Sequence, residues 1–300
     1  MRILESEPRH EPVLLAAVVE WLVPRHDAVY VDATLGFGGH TAALVDAGAG
    51  RVVGIDRDAG ALELARRRLG ARADRVTFVN DDYRRVPAVL AALGLAEVDG
   101  IVADLGVSSM QIDEASRGFS FRQAGPLDMR MDRASGPTLA ERLADVDDGE
   151  LADVIFQLGD ERHSRRIARA IVAARDRGAL TDTAALASVV RRAAGGKGWQ
   201  RIDPATRTFQ ALRIWVNDEL SGLRTFLDVA PGCLAVGGRL AVIAFHSLED
   251  RAVKQRFRAL GTDDARYRVC TKRPLSPDEA ECARNPRATS AHLRVLERVA

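Results

Sequence analysis

The sequence predicts an α/β protein: a Rossmann-like, doubly wound parallel sheet interrupted by an all-α insertion. Three observations carry this. Strand-like and helix-like runs alternate through roughly the first third of the chain, as βαβ units do. The alternation then stops, and helical patterns follow one another without a strand. Near the end it resumes with one more strand, a helix and two β-like runs.

Residues 28–33 form a short apolar, β-branched run containing Asp32, followed by Thr34-Leu35-Gly36-Phe37-Gly38-Gly39-His40 and a helical stretch to about Ala47. A second strand, Arg51–Asp56, also ends in an acid. A helix near 59–69, a strand at Val76–Val79, a helix near 84–93 and a strand at Gly100–Ala103 lead into Asp104. Continuous apolar runs of this kind suit strands covered on both faces. Between Ser109 and Ala205 nothing reads as a strand; helical patterns occupy 138–158, 162–176 and 183–194. A helix near 206–229, a glycine-rich turn and the strand Arg239–Phe245 return to the sheet. Helix 248–259 follows, and the runs 266–271 and 292–298 are expected to form an antiparallel edge pair. The expected division is therefore 1–108 for the first part of the core domain, 109–205 for the helical insertion and 206–300 for the second part.

Hydrophobic residues make up 47% and charged residues 28%, the balance of an ordinary globular chain. The net charge of +1 is uninformative about partners, but its distribution is not. From Glu161 to Arg213 there are 12 Lys/Arg against 4 acids, and Arg162, Arg165, Arg166 and Arg169 recur at helical spacing. Such a face suits a polyanion such as RNA; a solvated helix surface is the plainer alternative. Cys233, Cys270 and Cys282 are odd in number and far apart, so they suggest neither a disulfide framework nor a metal pair. A reducing, cytoplasmic setting without a metal is expected. The apolar run Val13–Val23 is interrupted by Glu20 and is too short to span a membrane.

The chemistry gathers at the strand ends. Glycines in the turn after the first strand permit positive φ and close ligand approach, and the next helix presents unpaired N–H groups. Asp56, 20 residues beyond Gly36, stands where an acid accepts hydrogen bonds from ribose hydroxyls. Together these imply an adenosine-containing cofactor. Gly36-x-Gly38-Gly39 lacks the third glycine of a dinucleotide fingerprint, and Asp32 would repel a diphosphate. An acid there instead welcomes the ammonium of S-adenosylmethionine. After the third strand, Asp81 or Asp82 is placed to meet an adenine amine and Tyr83 to stack on the base, although Tyr83 equally suits a half-buried core position. Asp104-Leu105-Gly106-Val107-Ser108-Ser109-Met110-Gln111 follows the fourth strand, as a site loop or a plain turn. In Phe245-His246-Ser247-Leu248-Glu249-Asp250, Ser247 resembles a helix cap; His246 suits either substrate contact or a buried, hydrogen-bonded role.

These stretches, taken in order, resemble the MraW family of small-subunit ribosomal RNA cytosine-N4 methyltransferases over nearly the full length. The resemblance runs through His10-Glu11-Pro12-Val13-Leu14-Leu15, Asp32 to His40, Gly54-Ile55-Asp56-Arg57-Asp58, Asp104 to Ser109, Arg117-Gly118-Phe119-Ser120-Phe121, Gly125 to Asp132, Pro204 to Arg213, Phe245 to Arg251 and Asn285-Pro286-Arg287. It implies a class I methyltransferase domain with a helical substrate-recognition insertion, and cofactor contacts at Gly38, Gly39, His40, Asp56, Asp104 and Gln111, with an aromatic at the Tyr83 position. It also implies a target: a decoding-site cytosine of 16S ribosomal RNA within the small subunit. Many DNA amino-methyltransferases carry an acid or amide, two prolines and an aromatic at the fourth strand, whereas here Asp104-Leu105-Gly106-Val107 stands there. Asp104, or a backbone carbonyl in Leu105–Val107, is then expected to accept the amine N–H of a flipped base. A nicotinamide-dependent dehydrogenase and a catalytically silent RNA-binding assembly factor are the rival readings.

Overall fold

The structure is a computed structural model that describes residues 12–195 and 203–300; His10 and Glu11 of the first motif, and Lys197 and Arg201 of the basic stretch, lie outside the described residues. The chain runs α1 (Leu15–Leu22), β1 (Val29–Asp32), α2 (Gly39–Asp46), β2 (Arg51–Asp56), α3 (Ala59–Leu69), β3 (Val76–Asn80), α4 (Val86–Ala92) and β4 (Val98–Asp104). Helices α5 (Ser109–Asp113), α6 (Leu139–Asp145), α7 (Asp148–Gly159), α8 (Ser164–Asp176), α9 (Thr183–Ala194), α10 (Ala205–Asn217) and α11 (Glu219–Val229) follow. The chain closes with β5 (Leu234–Ala244), α12 (Ser247–Asp263), β6 (Tyr267–Val269), α13 (Glu279–Arg284) and β7 (His292–Arg298). It forms two compact units, Met1–Gly106 with Leu220–Ala300, and Val107–Glu219.

The first unit is built on a seven-stranded sheet of order β3-β2-β1-β4-β5-β7-β6. The first five strands are parallel; β7 runs antiparallel to both β5 and β6, giving the expected edge pair. Successive strand residues face opposite sides. Val31, Val53, Ile101 and Val242 therefore pack with α4, α11 and α12 on one face. Tyr30, Val52, Val102 and Ile243 pack with α1 and α2 on the other. From β1 the chain proceeds outward through β2 and β3, whereas β4 pairs with the opposite side of β1. That reversal opens a crevice at the carboxyl ends of β1 and β4, the usual ligand position in such sheets.

The second unit is helical, with no strand among the described residues. Leu151, Ile155, Ile167, Ile171, Leu186 and Leu212 from α7 to α10 form its core. The signature Gly125 to Asp132 is braced within it. The buried Arg117 guanidinium donates to the carbonyls of Arg130 (3.2 Å) and Met131 (2.7 Å). Asn217 accepts from Met131 N–H and donates to the Met129 carbonyl, both at 2.8 Å.

The structure departs from the sequence expectation in three places. The helix expected over 138–158 is two helices, because Val146 is extended and Asp147 caps α7 by accepting from Glu150 N–H at 2.8 Å. The helix expected over 206–229 is also two, divided where Asp218 takes a left-handed conformation (φ 51°). The return to the first unit accordingly falls at Leu220, not 206, since α10 contributes its apolar face to the core of the second unit.

Candidate functional site

Alternation along the strands places the three acids at the strand ends, Asp32, Asp56 and Asp104, on the α1/α2 side of the sheet, following Tyr30, Val52 and Val102 by an even number of residues. The turn after β1 supplies the rest of the crevice. Gly36 (φ +50°) and Gly38 (φ +74°) occupy the left-handed region, which a glycine adopts without strain. Gly39 is needed for a different reason: a β-carbon there would sit 2.2 Å from Pro12 Cγ.

Hydrogen bonds fix the acids individually. Asp56 accepts from Gly36 N–H and Asp58 N–H, each at 2.8 Å, so it clamps the glycine turn to the end of β2. A carboxylate has about four lone-pair sites, so capacity for further donors remains. Asp32 accepts from the Thr41 hydroxyl at 2.7 Å, tying β1 to the first turn of α2. Thr34 Oγ1 accepts from Asp104 N–H at 2.6 Å, tying the β1 turn to β4.

Electrostatically the crevice is acidic, with Asp32 buried and Asp56 and Asp104 half-buried. Burial pushes the Asp56 carboxyl up to about 6, against the two N–H donors that favour its charge. Burial pushes Asp104 up to about 6 as well; His40 opposes the rise, and Asp32 and Glu249 add to it. Asp32 is raised by burial, partly offset by His40 and Thr41. His40 is itself buried, with Nε2 3.0 Å from the Val13 carbonyl. That carbonyl only accepts, so Nε2 carries the proton, and Nδ1 faces Asp104 Oδ2 at 3.9 Å. The other Asp104 oxygen, Oδ1, is buried without a hydrogen-bond partner. An orphaned buried acceptor is costly unless a donor or cation arrives.

The structure thus brings Gly38, Gly39, His40, Asp56 and Asp104 together within the first unit. Gln111 belongs to the second unit, where its side-chain oxygen accepts from Ser108 N–H at 2.9 Å. Tyr83 is half-buried and meets Phe226 edge to face, with ring centroids 5.1 Å apart. Asp82 caps the short turn at Tyr83 and pairs with Arg84 at 2.6 Å, while Asp81 pairs with Arg85. The cap of α12 is His246, not Ser247: its Nδ1 accepts from Glu249 N–H, and Glu249 reaches back to the backbone N–H of Phe245 and His246. Sequence reasoning missed Thr34, Thr41 and Glu249. Only Glu249 left a trace, standing three residues after the cap as a capping-box acid does.

In the second unit, Arg165, Arg166 and Arg169 of α8 and Arg162 in the turn before it are all exposed, so a basic face exists there. Part of the arginine excess is structural. Arg175 donates to the Leu143 and Val146 carbonyls, Arg191 pairs with Asp203 and Arg213 with Glu219.

Comparison with known proteins gives a consistent result. The model of the MraW methylase family matches residues 7–299. The ribosomal RNA small subunit methyltransferase H of Sorangium cellulosum is 51% identical over 97% of this chain and 91% of its own length. The protein of the same name from Deinococcus radiodurans is 51% identical over 97% of this chain and 90% of its own. Among solved structures, an rRNA methylase from Streptococcus thermophilus aligns over 100% of both chains at 13% identity and a TM-score of 0.42, too loose a likeness to bear on the site.

Proposed function

The chain belongs to the MraW methylase family, and from that premise we propose that it transfers a methyl group from S-adenosylmethionine to the N4 amine of a decoding-site cytosine in 16S RNA, within the small ribosomal subunit in the cytoplasm. The relatives matched along nearly their whole length act, by name, on small-subunit ribosomal RNA. The observation that carries the cofactor assignment is the set of three acids at adjacent strand ends, Asp32 buried and Asp56 and Asp104 half-buried, the last with one buried oxygen lacking any partner. A cofactor bearing both a sulfonium and an ammonium fits such a crevice, and a diphosphate does not.

S-adenosylmethionine supplies a methyl group already activated by its sulfonium. The chain's own residues have to bind, orient and desolvate. Asp56 retains lone pairs for ribose hydroxyls while holding the glycine turn. Asp32 adds negative charge beneath that turn, locked by Thr41. The cytosine amine is a weak nucleophile because its lone pair is delocalised, so an acceptor for its N–H raises its reactivity. Asp104 has the free oxygen for that role. His40, protonated at Nε2, holds the other oxygen's environment polar.

Labelled methyl transfer to purified small subunits, followed by nucleoside analysis, tests the reading. Label in N4-methylated cytidine is the expected result; label in another nucleoside discards the target, and no transfer despite cofactor binding discards the enzyme. The exposed arginines of α8 and of the turn before it provide a further check on the RNA contact. Charge reversal of Arg162 and Arg165 together should weaken subunit binding and reduce the slope of log K against log salt by up to about 2, since each phosphate contact contributes about one. An unchanged slope would remove this face from the contact.

A further inference from the structure

The end of β5 carries an aromatic ring to which the cofactor crevice gives no role. Asp104 is in register with Ile243 where the two strands end, and just beyond them Gly106 lies beside Phe245. Phe245 packs against the same core as Ile243, on the side of the sheet that also carries Asp104. Its ring edge lies 3.7 Å from the position a β-carbon on Gly106 would take. Gly106 itself has φ +100°, so a side chain there would bring backbone strain as well as bulk. The backbone is held from below: Phe245 N–H donates to Glu249 Oε2 at 2.8 Å.

Other aromatic rings around the strand ends have partners. The Arg68 guanidinium covers Phe37 at 4.6 Å, Arg66 covers Phe78 at 4.4 Å, and Tyr83 meets Phe226. Phe245 is half-buried, and no ring or cation among the described residues stacks on it. The fourth-strand segment Asp104-Leu105-Gly106-Val107 contains no aromatic. A base taken out of its helix loses stacking and has to recover it on the enzyme. We propose that the Phe245 ring is the platform on which the target cytosine stacks, with the side-chain-free Gly106 leaving the approach between that ring and Asp104 open. The inference rests on the reading that the substrate is an RNA base.

The test compares the Phe245→Leu, Phe245→Tyr and Phe245→Trp variants of the full chain with the unaltered protein. Leu retains the bulk that packs on the core but has no π face. Loss of stacking should lower kcat/KM for small subunits by about 10- to 100-fold in Phe245→Leu, with Tyr and Trp retaining activity within about threefold. The dissociation constant for S-adenosylmethionine should be the same in all four proteins. Emission of pyrrolocytidine, a fluorescent cytosine nucleoside that dims on stacking, should be quenched by the unaltered protein and by Phe245→Tyr but not by Phe245→Leu. This second readout needs no turnover, so it separates the platform from the assigned reaction. A protein that quenches the probe yet transfers no methyl would sink the reaction and leave the platform standing. Equal quenching and turnover in Phe245→Leu overturns the platform. So does a Leu variant whose cofactor binding falls in parallel with its turnover, because the ring would then be a wall of the cofactor site.

Discussion

Replacing Asp104 with Asn is expected to silence methyl transfer while raising the melting temperature of the ligand-free protein. The two effects have one origin. Burial pushes the Asp104 carboxyl from 3.8 up to about 6, so the folded chain holds its proton more tightly than the unfolded chain. The contribution of such a group to stability is full below the unfolded value and is lost as pH rises through about 6. At pH 7.5 the carboxylate is therefore a burden of at most about 3 kcal/mol, taking about 1.4 kcal/mol per pH unit. Residual exposure of the side chain, 23%, keeps the real figure below that ceiling. A neutral amide removes the burden. Chemistry suffers because the amide is a far weaker acceptor for the amine N–H: a loss on the order of 100-fold or more in kcat is expected, the scale of removing one charge-stabilising group. Calorimetric melting at pH 7.5 and single-turnover transfer measure both. Full turnover in a stabilised Asn variant would reassign the acceptor to the backbone carbonyls of Leu105–Val107; a destabilised variant would mean that the free carboxylate contributes to the fold.

That a functional group should strain the fold also explains which features were legible in the sequence. The bounds of α3 were readable because Asp58 is a strong cap, accepting from Gly60 and Ala61, and Leu62, Ala65 and Leu69 follow at helical spacing. The acids at the ends of β1, β2 and β4 were readable because a charge that closes an apolar run stands out against it, at the edge of the sheet where ligands bind. The breaks at Asp147 and Asp218 were not. Helical periodicity continues across both, and Asp218 adopts φ 51° where glycine is the usual signal. His246 was misread against Ser247 because serine is the far commoner cap, and only the Glu249 contact decides between them. The demand for Gly39 arises from Pro12, whose position depends on how α1 is laid against the sheet. Long-range contacts of that kind leave no local pattern. The signature around Gly125 to Asp132 illustrates the converse: a recognisable motif, much of whose constraint is the brace made by Arg117 and Asn217 within the helical unit.

Cofactor affinity is expected to collapse as pH falls through 6, with a slope that counts the acids involved. Asp56 and Asp104 are each raised to about 6 in the ligand-free protein. Both are expected to be ionised in the complex, Asp56 accepting from ribose hydroxyls and Asp104, besides its part as acceptor of the amine N–H, adding negative charge to the crevice that the cationic cofactor enters. Below pH 6 each has to shed a proton before binding, which costs up to tenfold in affinity per pH unit per group. The unaltered protein should therefore lose up to about 100-fold between pH 6 and pH 5, and Asp104→Asn only about tenfold. The sign is opposite to that for stability of the ligand-free chain, which rises as the same acids take up protons. Ligand-induced gains in melting temperature should accordingly widen from pH 5.5 to 7.5. Asp56→Ala should be the most damaging single change to binding. It deletes the ribose acceptor and leaves the N–H groups of Gly36 and Asp58 without their partner, so a loss of about 100-fold or more is expected at pH 7.5. Titration calorimetry across pH on these three proteins separates the contributions. If affinity stays flat from pH 8 to 5, neither carboxylate meets the cofactor in charged form. If it falls with a slope of one that Asp104→Asn leaves unchanged, the sensitive group is Asp56, and Asp104 serves the incoming base instead of the cofactor.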